Sequence, residues 1–143
     1  MALWKYCLEK TITISITDRE LVRRYSPYQG IIYHKWFTLI VAANYINIVI
    51  KEGYAWDGCS PKFKLLGLIV GIWDGPYSFY THKPQAYYAS LVHDVLCQFR
   101  TSHKISRPDM DLIFYYLLKR DKFVLAPLYY VAVRLFATLA GRE

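Results

Sequence analysis

From Thr11 to Thr17 the chain alternates strictly, Ile12, Ile14 and Ile16 against Thr11, Thr13, Ser15 and Thr17. A period of two puts one set on each face of an extended backbone, so the segment predicts a strand with one packed and one polar face. Asp18-Arg19-Glu20 ends it, and Ser26-Pro27 with Gly30 marks a turn or loop. Trp36 to Ala42, apolar apart from Thr38, reads as a buried strand. After Asn44, Tyr45 to Lys51 resumes the alternation. The spacers between these segments are too short for helical crossovers, which predicts an antiparallel meander.

The strand pattern stops at Glu52. Gly53, Asp57-Gly58 and Ser60-Pro61 favour turns, and residues 52–84 read as one long irregular connection rich in Gly, Pro and aromatic residues. Beyond Pro84 the period lengthens. Tyr88, Leu91, Val92, Val95 and Phe99 fall at helical spacing and predict a helix over 85–99. Ser106 is a good N-cap, with Pro108 and Asp109 in the first turn of a second helix that runs to Arg120. A third runs from Ala126 to Leu139 and is closed by Gly141. The fold class is therefore α+β, an amino-terminal antiparallel β-sheet followed by a three-helix carboxyl half. The whole chain, 1–143, reads as a single domain, with strands across 8–51 and helices across 85–141.

Composition sharpens this reading. With 143 residues, 55% apolar and 20% charged, the chain has material for a core without disulfides and is too apolar for general disorder. Its 14 tyrosines suit half-covered surfaces, including surfaces held against a partner. A net charge of +7 favours anionic partners, but Arg23-Arg24 and Lys62 with Lys64 are pairs rather than a basic block, so no specific nucleic-acid binding is expected. Cys7, Cys59 and Cys97 are too widely spaced for a zinc knuckle or a disulfide framework, which predicts reduced thiols and synthesis in a cytosol. Met1 to Leu8 lacks the apolar core of a signal peptide. Leu65 to Trp73 is far shorter than the roughly 20 residues of a membrane span. Val124 to Ala140 carries Pro127 and Arg134, which fits a buried helix, or one lying on a lipid surface, better than a span.

The residues with chemical potential sit in three places: Trp56-Asp57-Gly58-Cys59-Ser60-Pro61, His93-Asp94 on the first long helix, and Asp111 near the start of the second. Adjacent helical residues point roughly 100° apart, so His93 and Asp94 cannot pair with each other. The short connection makes the two helices antiparallel neighbours, and Asp111 is then placed to reach His93 Nδ1. That would fix the tautomer and leave Nε2 free as a base. Ala86, Ala89 and Cys97 flank His93, which predicts an accessible ring. Asp94 and Asp57 are the candidate oxygen ligands of a divalent cation, calcium or magnesium. Trp56 and Ser60, flanking the Asp57 turn, are the candidate substrate contacts. Each piece also has an ordinary structural reading: a chance His-Asp neighbour, a carboxylate near a helix amino terminus, a tight turn. His34 reads as a satisfied polar group, His82 and His103 as solvated loop residues, and Cys97 as packed. No G-x-S-x-G, H-E-x-x-H or Gly-rich phosphate loop is present.

Four segments together resemble the DUF1353 family of tailed phages, prophages and bacteria. They are Asp57-Gly58-Cys59-Ser60-Pro61, Ala89 to Leu96 with its His93-Asp94, Arg107 to Phe114 with its Arg-x-x-x-Asp-x-x-Phe spacing, and Tyr130 to Ala137 with Val133-Arg134. The resemblance covers about residues 45 to 141. It departs at Cys59, where Ala is common, at Cys97, where an aromatic is common, and at Ala137, where Gly is common. The family has no assigned activity, so the resemblance implies a phage context rather than a reaction. A weaker resemblance is to compact phospholipase A2 enzymes, which also place His-Asp on one helix and Asp on the next. It implies His93 as base, Asp94 as calcium ligand and Asp111 as partner of the imidazole, but the Gly-rich calcium loop and the disulfides are missing here. A phosphohydrolase of the His-Asp domain type would need a separate upstream His. His34 lies in a strand segment, whereas those folds are all-helical.

Two functions are expected. One is a virion-associated tail or capsid protein whose partners are other phage structural proteins, with contact to a host envelope or lipid. The other is a metal-assisted hydrolase acting during infection. Both place the chain in the virion or, during assembly, in the host cytoplasm.

Overall fold

The structure, a computed structural model, describes residues 6–56, 81 and 83–139. The fold is α+β, with antiparallel sheets first and helices after them. The chain divides into two compact units: residues 1–56 with 98–105, and residues 57–97 with 106–143.

In the first unit β1 (Tyr6–Cys7) pairs antiparallel with β6 (Ala55–Trp56). The larger sheet contains β2 (Ile12–Ile16), β3 (Gly30–Tyr33), β4 (Phe37–Val41) and β5 (Ile46–Ile50) in the order β2-β5-β4-β3. Register explains its core. Ile12, Ile50 and Phe37 lie opposite one another, then Ile14, Ile48 and Leu39, then Ile16, Ile46 and Val41. All of these but Ile12 are buried, while Thr13 and Ser15 face water. Alternation therefore sets which face packs, as a period of two requires.

Two details differ from the sequence reading. The β4 run is not buried on both sides: Thr38 and Ile40 are half-buried between the buried Phe37, Leu39 and Val41. The pairing is also not a simple meander. β3, β4 and β5 follow one another as hairpins, but β2 lies beside β5 at the far edge, a Greek-key order. The chain crosses from β2 to β3 through α1 (Arg19–Arg24), where the sequence pattern predicts the end of a strand and a loop. Asp18 caps this helix, its Oδ1 accepting from the Leu21 amide at 3.0 Å, and Leu21, Val22 and Tyr25 are buried. Six residues are too few to show a helical period above the surrounding strand pattern.

The segment 98–105 belongs to this same unit. The Tyr54 hydroxyl donates to Gln98 Oε1 at 2.7 Å, and the Phe99 ring lies 4.3 Å from His34 and 5.9 Å from Phe37. His34 Nδ1 accepts from the Trp36 amide at 3.1 Å, so it is a satisfied polar group. His103, expected to be solvated, is buried, and its Nδ1 accepts from the Ile105 amide at 3.1 Å. Gly53, at φ +87°, supplies the left-handed turn from which its amide reaches the Leu8 carbonyl at 2.8 Å.

The second unit holds α2 (Tyr87–Gln98, apart from its last residue), α3 (Arg107–Arg120) and α4 (Ala126–Leu139). These match the predicted helices to within two residues at each end. Helix α2 is buried nearly all round, from Tyr87 through Leu96 except at Tyr88 and Asp94, the pattern of a central helix rather than of one with a single apolar stripe. The turn between α3 and α4 closes by two bonds, Phe123 amide to Leu118 carbonyl and Lys122 amide to Lys119 carbonyl, each at 3.0 Å. This is a Schellman motif with Lys122, at φ 65°, in the place a glycine usually takes. Among the described residues no helix is long and apolar enough to cross a membrane.

Candidate functional site: a buried Asp111 cluster

Helix α3 starts where its capping residues dictate. Ser106 Oγ accepts from the Asp109 amide at 3.3 Å, with Pro108 in the first turn. That start brings Arg107 and Asp111, four residues apart, onto one face. Helix α2 supplies a second such pair, His93 and Cys97. In the second unit these two pairs meet. His93 Nε2 lies 2.6 Å from Asp111 Oδ1, Arg107 Nε donates to the same oxygen at 2.9 Å, and Arg134 Nη1 from α4 donates to Oδ2 at 2.8 Å. Asp111 is fully buried, and the side chains of Arg107, His93 and Arg134 are 7%, 11% and 23% exposed. The His93 ring packs on Phe114 at 4.8 Å between centroids.

The sulfur of Cys97 completes the cluster. It lies 3.6 Å from His93 Nε2 and 3.9 Å from Nδ1, and 3.9 Å from Met110 Sδ. Near-equal distances to the two ring nitrogens mean that the sulfur is not in line with either N–H. Its attraction to the ring is mainly one of charge.

These contacts set the protonation states. Burial pushes the Asp111 carboxyl up, but the His93 hydrogen bond and charge and the Arg107 guanidinium outweigh it and hold the group below the usual carboxylate range. Burial alone would lower His93; the Cys97 sulfur and the Asp111 carboxylate reverse this and raise it to about 9. Burial pushes the Cys97 thiol up, and the His93 cation, with Arg107 beyond it, brings it below its ordinary value. Among the described residues one carboxylate, Asp111, meets three cationic side chains, and the same cationic surroundings favour the charged form of the Cys97 sulfur.

The structure thus brings His93 and Asp111 together, with two corrections. Asp111 engages Nε2 rather than Nδ1, so the nitrogen expected to stay free as a base is the one committed to the carboxylate. The ring is also buried rather than accessible, because the small-residue flank of α2 is covered. Arg107, Arg134 and Cys97 were given no role by sequence reasoning. The i,i+4 spacing of Arg107 with Asp111, and of His93 with Cys97, was the available signal for two of them; Arg134 had none beyond the resemblance.

The other candidates lie elsewhere. Asp94 is half-buried on α2. Trp56, in β6, is wholly buried in the first unit, with its ring 5.2 Å from Tyr6 and 6.4 Å from Tyr54, so it is a core residue there. Asp57 and Ser60, with the rest of the turn and the Leu65 to Trp73 run, fall outside the described residues, as does His82. Among the described residues no group of three or more His, Cys, Asp or Glu side chains is arranged to hold a metal ion. Comparison with known proteins finds no family model, no curated protein and no solved structure that matches this chain.

Proposed function

We propose that the chain is a virion-associated phage protein, a tail or capsid component, whose His93-Asp111 cluster fastens three helices together rather than carrying out hydrolysis. The phage context is supported by the four sequence segments that resemble the DUF1353 family. The observation that carries the fastening role is Asp111 itself: fully buried, with both oxygens committed to side chains from all three helices. A general base must be neutral at its working pH, and His93 keeps its proton up to about 9. An assembly role also suits the exposed apolar side chains. Ile31 and Tyr33 on β3 and Val124, Leu128, Val131 and Leu135 in the second unit are 45% or more exposed, and such surface is expected where a partner covers it.

The test uses particles from a culture that produces the chain. Density-gradient particles probed with an antibody should carry the protein, and recovery only in the unassembled fraction overturns the virion assignment. His93→Gln keeps a donor toward Asp111, so assembly and infectivity should persist. If particles assemble normally but infectivity is lost, the alternative holds instead: a hydrolase acting during infection, metal-assisted through Asp94 and Asp57 with calcium or magnesium.

A further inference from the structure

Cys97 and Arg134 are the half-buried members of the Asp111 cluster. Cys97 is half-buried, on the last turn of α2, while His93 and Asp111 beneath it are buried. A sulfur held within 4 Å of both nitrogens of a buried imidazole, with the Arg107 guanidinium also favouring its charged form, is in the setting that makes a thiol nucleophilic. We propose that Cys97, its sulfur set against the His93 ring, is a reversible oxidation site for small hydroperoxides.

Among the described residues four groups act on the sulfur. From α2 comes His93, one turn back. From α3 come Met110, whose thioether is uncharged, Arg107, whose charge favours the thiolate, and Asp111, whose charge opposes it. Asp111 is neutralised by its own hydrogen bonds to His93, Arg107 and Arg134, so the cations prevail, and the lowered thiol value agrees with this geometry. The thiolate attacks the outer oxygen of the hydroperoxide. A sulfur–oxygen bond forms and the oxygen–oxygen bond breaks, with its electron pair leaving on the inner oxygen. That oxygen takes a proton from the imidazolium or from water. Cysteine is oxidised to the sulfenic acid and the peroxide is reduced to an alcohol; one thiol then condenses with the sulfenic acid to a mixed disulfide with loss of water, and a second thiol displaces the cysteine and leaves as the disulfide of the two. Oxidation replaces the thiolate with a neutral group, so it removes one of the two negative partners of His93. The inference is independent of the fastening role, which stands on Asp111 whether or not Cys97 reacts.

Exposed Cys7 is an internal control. At pH 6 an ordinary thiol is less than about 1% thiolate, and each tenfold gain in thiolate is offset by about a threefold loss of nucleophilicity. Peptide-resolved iodoacetamide labelling at pH 6 should therefore be about threefold or more faster at Cys97 in the native protein than in urea, while Cys7 changes little. A thiol that is merely packed does the reverse, since unfolding exposes it, and faster labelling of Cys97 in urea overturns the proposal. After brief hydroperoxide treatment, dimedone should mark Cys97 ahead of Cys7; equal or absent marking at Cys97 also overturns it. His93→Gln should bring the native Cys97 rate down to the unfolded one. If that variant does not fold, the urea comparison on the unaltered chain still decides.

Discussion

Replacing Asp111 with Asn removes the carboxylate that, among the described residues, meets all three cations of the cluster, and keeps its shape. Three cationic side chains lose their counter-charge at once. They do not suffer equally. Arg134, 23% exposed, can turn toward solvent, so its loss costs little. Arg107, 7% exposed, has no such route, and His93 can shed its proton. The cost thus falls mainly on Arg107. Removing one partner of a buried ion pair costs about 3–5 kcal/mol, and the retained amide oxygen still accepts one bond, so the lower end, about 3 kcal/mol, is expected. Against a total stability of roughly 5–15 kcal/mol for a typical domain, that is a large fraction. With a urea slope of about 2 kcal/mol per molar, the midpoint followed by far-ultraviolet circular dichroism at pH 7 should fall by roughly 1.5 M. The His93 ring, followed by NMR, should also lose its proton well below 9 in the variant. A loss of less than about 1 kcal/mol at unchanged slope would refute the assignment of Asp111 as the hub of the second unit.

His93 is raised to about 9 in the folded chain against about 6.5 unfolded, so its stabilisation is complete below about pH 6.5 and is lost as the pH climbs through about 9, an effect of about 3 kcal/mol. At the acid end Asp111, lowered on folding, loses its contribution as the pH falls through its folded value; urea midpoints across the range should therefore decline on both sides of a plateau, and the alkaline decline should vanish in His93→Gln. Lys122, at φ 65° in the α3–α4 turn, carries a side chain where none is favoured, so Lys122→Gly should raise the melting temperature by the equivalent of about 0.5–1 kcal/mol after allowing for the added freedom of the unfolded chain, and a lower melting temperature would contradict the Schellman assignment.

Much of this architecture could be read from the chain because it depends on local pattern. The alternation of Ile12 to Ile16 and of Ile46 to Ile50 already implies which face is buried. Ser106 with Pro108 and Asp109 implies where α3 begins, and therefore that Arg107 and Asp111 share a face. A period and a cap act over a few residues, and neighbouring residues carry the information. The candidate pair His93 and Asp111 came from the same logic applied to two adjacent helices.

The rest depended on distance through space. No local rule says that β2 should pair with β5 rather than β3, because strand order is decided by which apolar faces can be covered together. No periodicity says which nitrogen of His93 meets Asp111, since that depends on the rotation of two packed helices. Whether a histidine is a base or a fixed cation, and whether a cysteine is inert or reactive, is set by the charges and the solvent around it. Arg134 reaches Asp111 from 23 positions along the chain. The sequence alone determined the helices, the strands and the residues worth watching; tertiary packing decided their charge states, because electrostatic energy depends on burial and separation rather than on order in the chain.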